Sequence, residues 1–114
     1  MKKIIYDIGS NNGDDISYYL LKSDLVIAIE ANPKLCNLIQ EKFRKEINNG
    51  KLIIENCVVH NQNGINEVPF YIHKNNHVLS RFPKPANIQD FEEITMQSKN
   101  IIEIIKNYGD PHYI

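Results

Sequence analysis

Cysteine is scarce in this 114-residue chain, with only Cys36 and Cys57, and they fall within a helical and a strand pattern. Two such cysteines exclude a disulfide framework and favour a reducing compartment, the cytoplasm by default. No apolar run is long enough to span a bilayer. Met1-Lys2-Lys3 leads into Ile4-Ile5, but Asp7 and the glycines interrupt that run before a signal-peptide core can form. Neither sign of charge is in excess: 13 basic and 14 acidic residues leave a net charge of -1. Broad electrostatic attraction to nucleic acid or anionic membrane is thereby excluded. His60, His73, His77 and His112 have no H-x-H or H-E-x-x-H spacing and no cysteine partners, so no metal site is expected. Repeats and low-complexity linkers are absent too.

What is present is organised around Ile4-Ile5-Tyr6-Asp7-Ile8-Gly9-Ser10-Asn11-Asn12-Gly13-Asp14-Asp15. The apolar run has the pattern of a strand covered on both faces, as parallel strands in α/β folds are. Gly9 and Gly13 supply a turn in which backbone can approach a ligand or the next helix closely. Asp14 or Asp15 then caps a helix over Ile16 to Lys22, with Ile16, Tyr19 and Leu20 on one face.

The pattern repeats downstream. Leu25 to Ile29 is a second buried strand ending at Glu30, and Asn32 with Pro33 opens a second helix. Its apolar face is expected to run through Leu35, Leu38, Ile39, Phe43 and Ile47. Leu52-Ile53-Ile54 and Cys57-Val58-Val59 read as one third strand, bent around Glu55-Asn56. Three strands joined by two helical crossovers make half of a nucleotide-binding sheet. Beyond a polar turn at His60 to Gly64, Glu67 to Ile72 reads as an added short strand that Pro69 restricts to a beginning or an edge. Lys74 to Asn87 reads as a loop over the ligand face, and Ile94-Thr95-Met96 as a brief strand. Ser98 is expected to cap a final helix with Ile101, Ile102, Ile104 and Ile105 inward, before His112-Tyr113-Ile114 starts another strand.

The glycine turn discriminates between ligands. A dinucleotide fingerprint needs G-x-G-x-x-G, but Asn11 and Asp14 stand where its second and third glycines belong. Asp7, Asp14 and Asp15 would also set like charge against a pyrophosphate. S-adenosylmethionine carries a sulfonium and an ammonium and no phosphate, and suits an acidic turn better. Asp7-Ile8-Gly9-Ser10-Asn11-Asn12-Gly13-Asp14, followed by Ile29-Glu30-Ala31-Asn32-Pro33, resembles the first two motifs of the FkbM-type S-adenosylmethionine-dependent methyltransferases. Ala31 stands where that family more often has proline.

Asp7 lies at the carboxyl end of the first strand, where such sheets bind ligands, although it could simply cap turn amides. Asn11 tolerates positive φ and, with Gly9, Ser10 and Gly13, shapes the cofactor loop. Glu30 ends the second strand about 20 residues after the turn, where an acid can accept both ribose hydroxyls; its bland alternative is a solvated strand end. The resemblance places Asn56 and the backbone of Cys57 and Val58 near the adenine. Ser80 resembles a family loop serine, but loop serines ordinarily just face water. Lys42-Phe43-Arg44-Lys45 is most simply a solvated face with one core residue.

The fold expected is therefore α/β: an incomplete Rossmann-like class I methyltransferase domain, a parallel sheet with flanking helices and an added short strand. The resemblance implies O-methylation of a small or sugar hydroxyl acceptor with S-adenosylmethionine as cofactor, and identifies no catalytic residue. The alternatives are an inert ligand-binding or interaction module built on the same fold and, disfavoured by the glycine spacing, an NAD-dependent reductase. The chain is expected to be a partial domain over 1–114, cut at the start of the fourth main strand and inactive alone. An open first strand would then invite self-association.

Overall fold

The computed structural model describes residues 2–60, 67–74 and 88–114. The expectations for residues 61–64, for the loop at 75–87, and for His77 and Ser80 within it, lie outside the described residues. In chain order the elements are β1 (Ile4–Ile8), α1 (Ile16–Lys22), β2 (Leu25–Ile29), α2 (Pro33–Lys42), α3 (Arg44–Asn48), β3 (Leu52–Glu55), β4 (Val58–His60), β5 (Glu67–His73), β6 (Phe91–Asn100) and α4 (Ile101–Tyr108). No helix among the described residues is long and apolar enough to cross a membrane.

The first sheet is parallel, in the order β1-β2-β3, with Ile5 opposite Val26 and Ile27 opposite Ile53. All five residues of β2 are buried because both faces of the sheet are covered. On one face Ile4, Tyr6, Leu25, Ile27 and Ile29 pack with Cys57 and with Ile104 of α4. On the other, Val26, Ala28 and Leu52 pack with Ile16, Ile39 and Phe43 from the helical side. The domain is thus a small α/β unit whose parallel three-stranded sheet is flanked by helices. Its order is compatible with the first half of a doubly wound, Rossmann-like sheet.

Beyond β1 the chain returns alongside it. Tyr6 N donates to Tyr113 O at 3.0 Å and His112 N to Ile4 O at 2.7 Å, a single parallel bridge between Ile5 and Tyr113. The free side of β1 is therefore partly covered, not bare as expected.

Several expectations are corrected. The third strand is two: β3 stays in the parallel sheet, while β4 leaves it after Asn56 and pairs with β6 in a second sheet ordered β4-β6-β5. His60 accordingly closes β4 and does not start a turn. The brief strand around Ile94 is ten residues long, because β6 has β4 parallel on one side and β5 antiparallel on the other. Tertiary pairing of that kind overrides local propensity. Ser98 lies inside β6, and the cap of α4 is Asn100, whose Oδ1 accepts from Ile102 N at 2.9 Å. Asp15 takes the N-cap position of α1, but no side-chain hydrogen bond caps that helix. The second helix breaks at Phe43, whose ring is buried against Ile16 and Ile39 while its backbone leaves helical geometry. Leu38 and Ile102, assigned inward by periodicity, are 57% and 53% exposed. Pro69 does occupy an edge strand, opposite Thr95.

Gly13 fixes how α1 meets α2. Its φ is +86°, and a Cβ there would lie 3.2 Å from both Ile39 Cγ1 and Phe43 Cε2. Gly50 also has positive φ, +75°, but a Cβ on it would meet nothing. Gly13→Ala combines left-handed strain with overpacking and should cost roughly 2–4 kcal/mol, whereas Gly50→Ala should cost about 1 kcal/mol from backbone strain alone. Urea denaturation of the two variants measures the difference, and equal losses would show that the α1–α2 contact yields freely.

Candidate functional site

Two turns leave the carboxyl ends of β1 and β2 side by side, and one carboxylate ties them together. Glu30 is 8% exposed. Its Oε1 accepts from Asn11 N and its Oε2 from Asn32 N, each at 2.8 Å. Asn11 can present its amide this way because it adopts a left-handed φ of +56°, a conformation asparagine tolerates better than other non-glycine residues. The bland reading of Glu30 as a solvated strand end is thereby corrected: the side chain is buried and doubly hydrogen-bonded. Asn32 itself is fully buried, and its Oδ1 caps α2 by accepting from Lys34 N at 3.0 Å. Asn56 braces the second turn from outside, its Nδ2 donating to Glu30 O at 2.9 Å and Ala31 O at 3.0 Å.

The same geometry occupies the amides of the glycine turn. Gly9 N and Ser10 N donate to Ile29 O, Gly13 N to Ser10 O, and Ile16 N to Gly13 O. Asp14 N donates to Asn12 Oδ1. With Asn11 N held by Glu30, these groups are committed internally and form no open cradle for an anion.

A cleft of about 300 Å³ opens where the two turns face the second sheet. Of the residues singled out from sequence, Gly9, Asn11, Glu30 and Val58 line it. Asp7, Ser10, Gly13 and Asn56 do not. Asp7 lies one turn of chain behind Gly9, with Ser10 Oγ donating to its carbonyl at 2.8 Å. Gly13 is buried under Ile39 and Phe43, and Asn56 stands behind the Glu30–Ala31 turn. A Cβ on Gly9, whose φ is +75°, would meet no atom within 4 Å, as a residue at the mouth of a cleft should. Sequence reasoning missed Leu35 and Phe70 among the lining residues. Phe70 reaches the cleft only because β6 carries β5 into place, a non-local pairing with no local signal. Ile8, 46% exposed at the end of a buried strand, also lines the cleft. Larger hollows of about 500 Å³ beside β3 and about 540 Å³ between α1 and Tyr113 contain neither Gly9 nor Glu30.

The electrostatics of the strand ends are acidic and uncompensated. Burial pushes the Asp7 carboxyl above its ordinary range, the neighbouring Ser10 hydroxyl partly offsets this, and the charge of Asp15 adds to it. Asp7 Oδ2 is buried without a hydrogen-bond partner. Burial likewise raises Glu30, the amides of Asn32, Asn11 and Ala31 pull it back, and Asp7 raises it further. Neither carboxylate has an ion pair among the described residues. Glu55, at the end of β3, contrasts with them. Burial raises it, but hydrogen bonds from Lys99, at 2.6 Å, and Tyr108, with the Lys99 charge, outweigh burial and hold it below its ordinary value. The same contact pushes the Tyr108 phenol up to about 12.

Comparison with protein-family models, with curated proteins and with solved structures found no match in any of the three.

Opposite shifts give the pH response a shape. Raised folded-state values for Asp7 and Glu30 mean that stability is fully present below their ordinary range and is lost as pH rises through the shifted values. Lowered Glu55 works the other way, contributing stability above its ordinary value that is lost as pH falls through the shifted one. The melting temperature should therefore rise as pH falls through the raised values of Asp7 and Glu30, and drop on acidification through the lowered value of Glu55. Asp7→Asn should flatten the first limb and stabilise the protein by about 1 kcal/mol at pH 7. A destabilised Asp7→Asn would mean that the carboxylate is held by a favourable contact.

Proposed function

We propose that this cleft binds S-adenosylmethionine and that the chain carries the cofactor site of a methyltransferase acting on a small or sugar hydroxyl, as its FkbM-like motifs imply. The observation that carries the reading is the pair Asp7 and Glu30, two carboxylates at the ends of adjacent parallel strands, both raised by burial and without a cation partner among the described residues. A ligand bearing positive charge relieves that arrangement, and an anionic one aggravates it. The internally committed turn amides weigh in the same direction, against a pyrophosphate and hence against an NAD-dependent reductase.

The residues present fit such a ligand. Glu30 receives the amides of Asn11, Asn32 and Ala31 and keeps some acceptor capacity beyond them, which suits a ribose hydroxyl. Val58 and Phe70 offer an apolar wall for a flat base, and Asp7, behind Gly9, adds negative charge that an ammonium group in the cleft would balance at short range. When bound, S-adenosylmethionine supplies a methyl group already activated on sulfonium. The chain's contribution is then to hold, orient and exclude water, with Glu30 kept in place by the two turn amides and by Asn56 behind it. The hydroxyl class of the acceptor follows from the motif resemblance.

Isothermal titration with S-adenosylhomocysteine, adenosine and NAD tests the reading. S-adenosylhomocysteine should bind more tightly than adenosine, and Asp7→Asn should erase most of that advantage, about tenfold, while changing adenosine affinity by less than about twofold. Absence of S-adenosylhomocysteine binding, or tighter binding of NAD, would refute it. Binding without methyl transfer to any sugar hydroxyl offered would instead support the inert ligand-binding module.

A further inference from the structure

The hollow of about 540 Å³ beside α1 has no part in the cofactor reading, and its lining follows from register and helical period. Ile5 forms its floor. That residue stands opposite Val26, which packs with Ile16 of α1 on the helical side of the sheet, so the Ile5 side chain points toward α1 as well. Tyr113 bridges Ile5 in parallel and shares that face. So does Asp7, two residues further along β1. From the helix, Asp15, Tyr18, Tyr19 and Lys22 stand at i, i+3, i+4 and i+7 and form one stripe, which Asp15 joins because its own φ and ψ, -88° and -12°, are helical.

The stripe is aromatic in its middle and charged at its ends. The Tyr19 ring lies 6.0 Å from Tyr18 on one side and 6.0 Å from Tyr113 on the other, and the two outer rings are 59% and 55% exposed. Burial pushes the Tyr19 phenol up, and the charges of Asp7 and Asp15 add to this. Both carboxylates are therefore within electrostatic reach of that ring, and neither has an ion pair among the described residues. Lys22 and His112 also line the hollow and oppose positive charge at their end. Lys22 Nζ, however, already lies 5.4 Å from the centre of the Tyr18 ring, which leaves the acids uncompensated. We propose that this hollow binds a small organic cation carrying an alkylated ammonium group, its methyl groups against Tyr19 and Tyr113 and its charge balanced by Asp15. Asp7 contributes through its charge alone. Aromatic faces attract cations through the ring quadrupole, and a quaternary ammonium has no N–H to leave unpaired among them. An anion would meet the same carboxylates, and a neutral ligand would leave them as they are.

Titration of the full chain with choline, and with the neutral analogue in which carbon replaces the ammonium nitrogen, tests this when followed by nuclear magnetic resonance of the tyrosine rings. Choline should bind about tenfold more tightly than the analogue. Tyr113→Leu and Asp15→Asn should each weaken choline about three- to tenfold, with the melting temperature nearly unchanged because both positions face solvent. Tyr113→Phe, which keeps the ring, should stay within about twofold of the parent. Lys22→Gln, which removes the competing cation, should tighten binding. Equal affinity for choline and its analogue, or binding of neither, overturns the proposal. A Tyr113→Leu variant that binds choline as the parent does overturns it too, as does one that loses stability and affinity in parallel. The cofactor reading stands or falls separately, on S-adenosylhomocysteine.

Discussion

The carboxylate of Glu30, shared between the amides of Asn11 and Asn32, is the constraint on which the strand ends depend. Each amide lies in a turn that leaves a different strand, so one side chain sets the spacing of both. Charge-assisted bonds to backbone N–H groups are the strong kind, and burial removes the competition from water. Burying the carboxylate is unfavourable in itself, and the two amides offset part of that cost. Asn56 adds a third fastening by holding the carbonyls of Glu30 and Ala31. It also marks the point where the chain leaves the parallel sheet for the second one.

That departure gives the domain its cleft. Had β3 run straight through Asn56 and Cys57, Val58 would have stayed in the parallel sheet. Because β4 pairs with β6 instead, a second apolar face is set against Ala31 and across from Gly9 and Asn11. The fastening at the junction is ionic as well as main-chain: Lys99 of β6 and Tyr108 of α4 converge on Glu55 at the last residue of β3. Glu55 is thus the compensated counterpart of Glu30. The two acids end neighbouring strands, and one has a cation beside it while the other has only amides.

Local chemistry explains which parts of this were legible in the sequence. β1 and β2 show as apolar runs because both faces are buried, and Asn32-Pro33 as a helix start because the cap and the proline act within one turn. Glycine spacing correctly marked a turn after β1, and the acid after β2 proves to be bonded to that turn through Asn11 N. What stayed hidden was set by distant partners. The extent of β6 depends on β4, 40 residues earlier in the chain, and on β5, 18 to 30 residues earlier, pairings no local pattern encodes. Ser98 looked like a cap because serine favours helix starts, yet Asn100, nearer the helix, had the better geometry. Leu38 and Ile102 fit a helical period but face outward, since periodicity names a stripe and the neighbours decide how wide it is. For Gly13, sequence indicated freedom of backbone; the structure adds that the missing side chain makes room for Ile39 and Phe43.

Charge and shape at the strand ends then constrain the ligand separately and converge. The amides of Gly9, Ser10, Asn11, Gly13 and Asp14 are already bonded, which agrees with the glycine spacing in disfavouring a phosphate at this turn. With those dipoles occupied, Asp7, Glu30 and the nearby Asp15 leave the ends of β1 and β2 acidic. It favours positive charge or hydroxyl donors. The facing wall of Val58 and Phe70 favours a flat apolar surface. In the function proposed above, a nucleoside joined to a cationic amino-acid tail would satisfy both demands at once, whereas a dinucleotide would satisfy the second and oppose the first. Within that proposal electrostatics alone separates the two ligands, and the apolar wall is common to both.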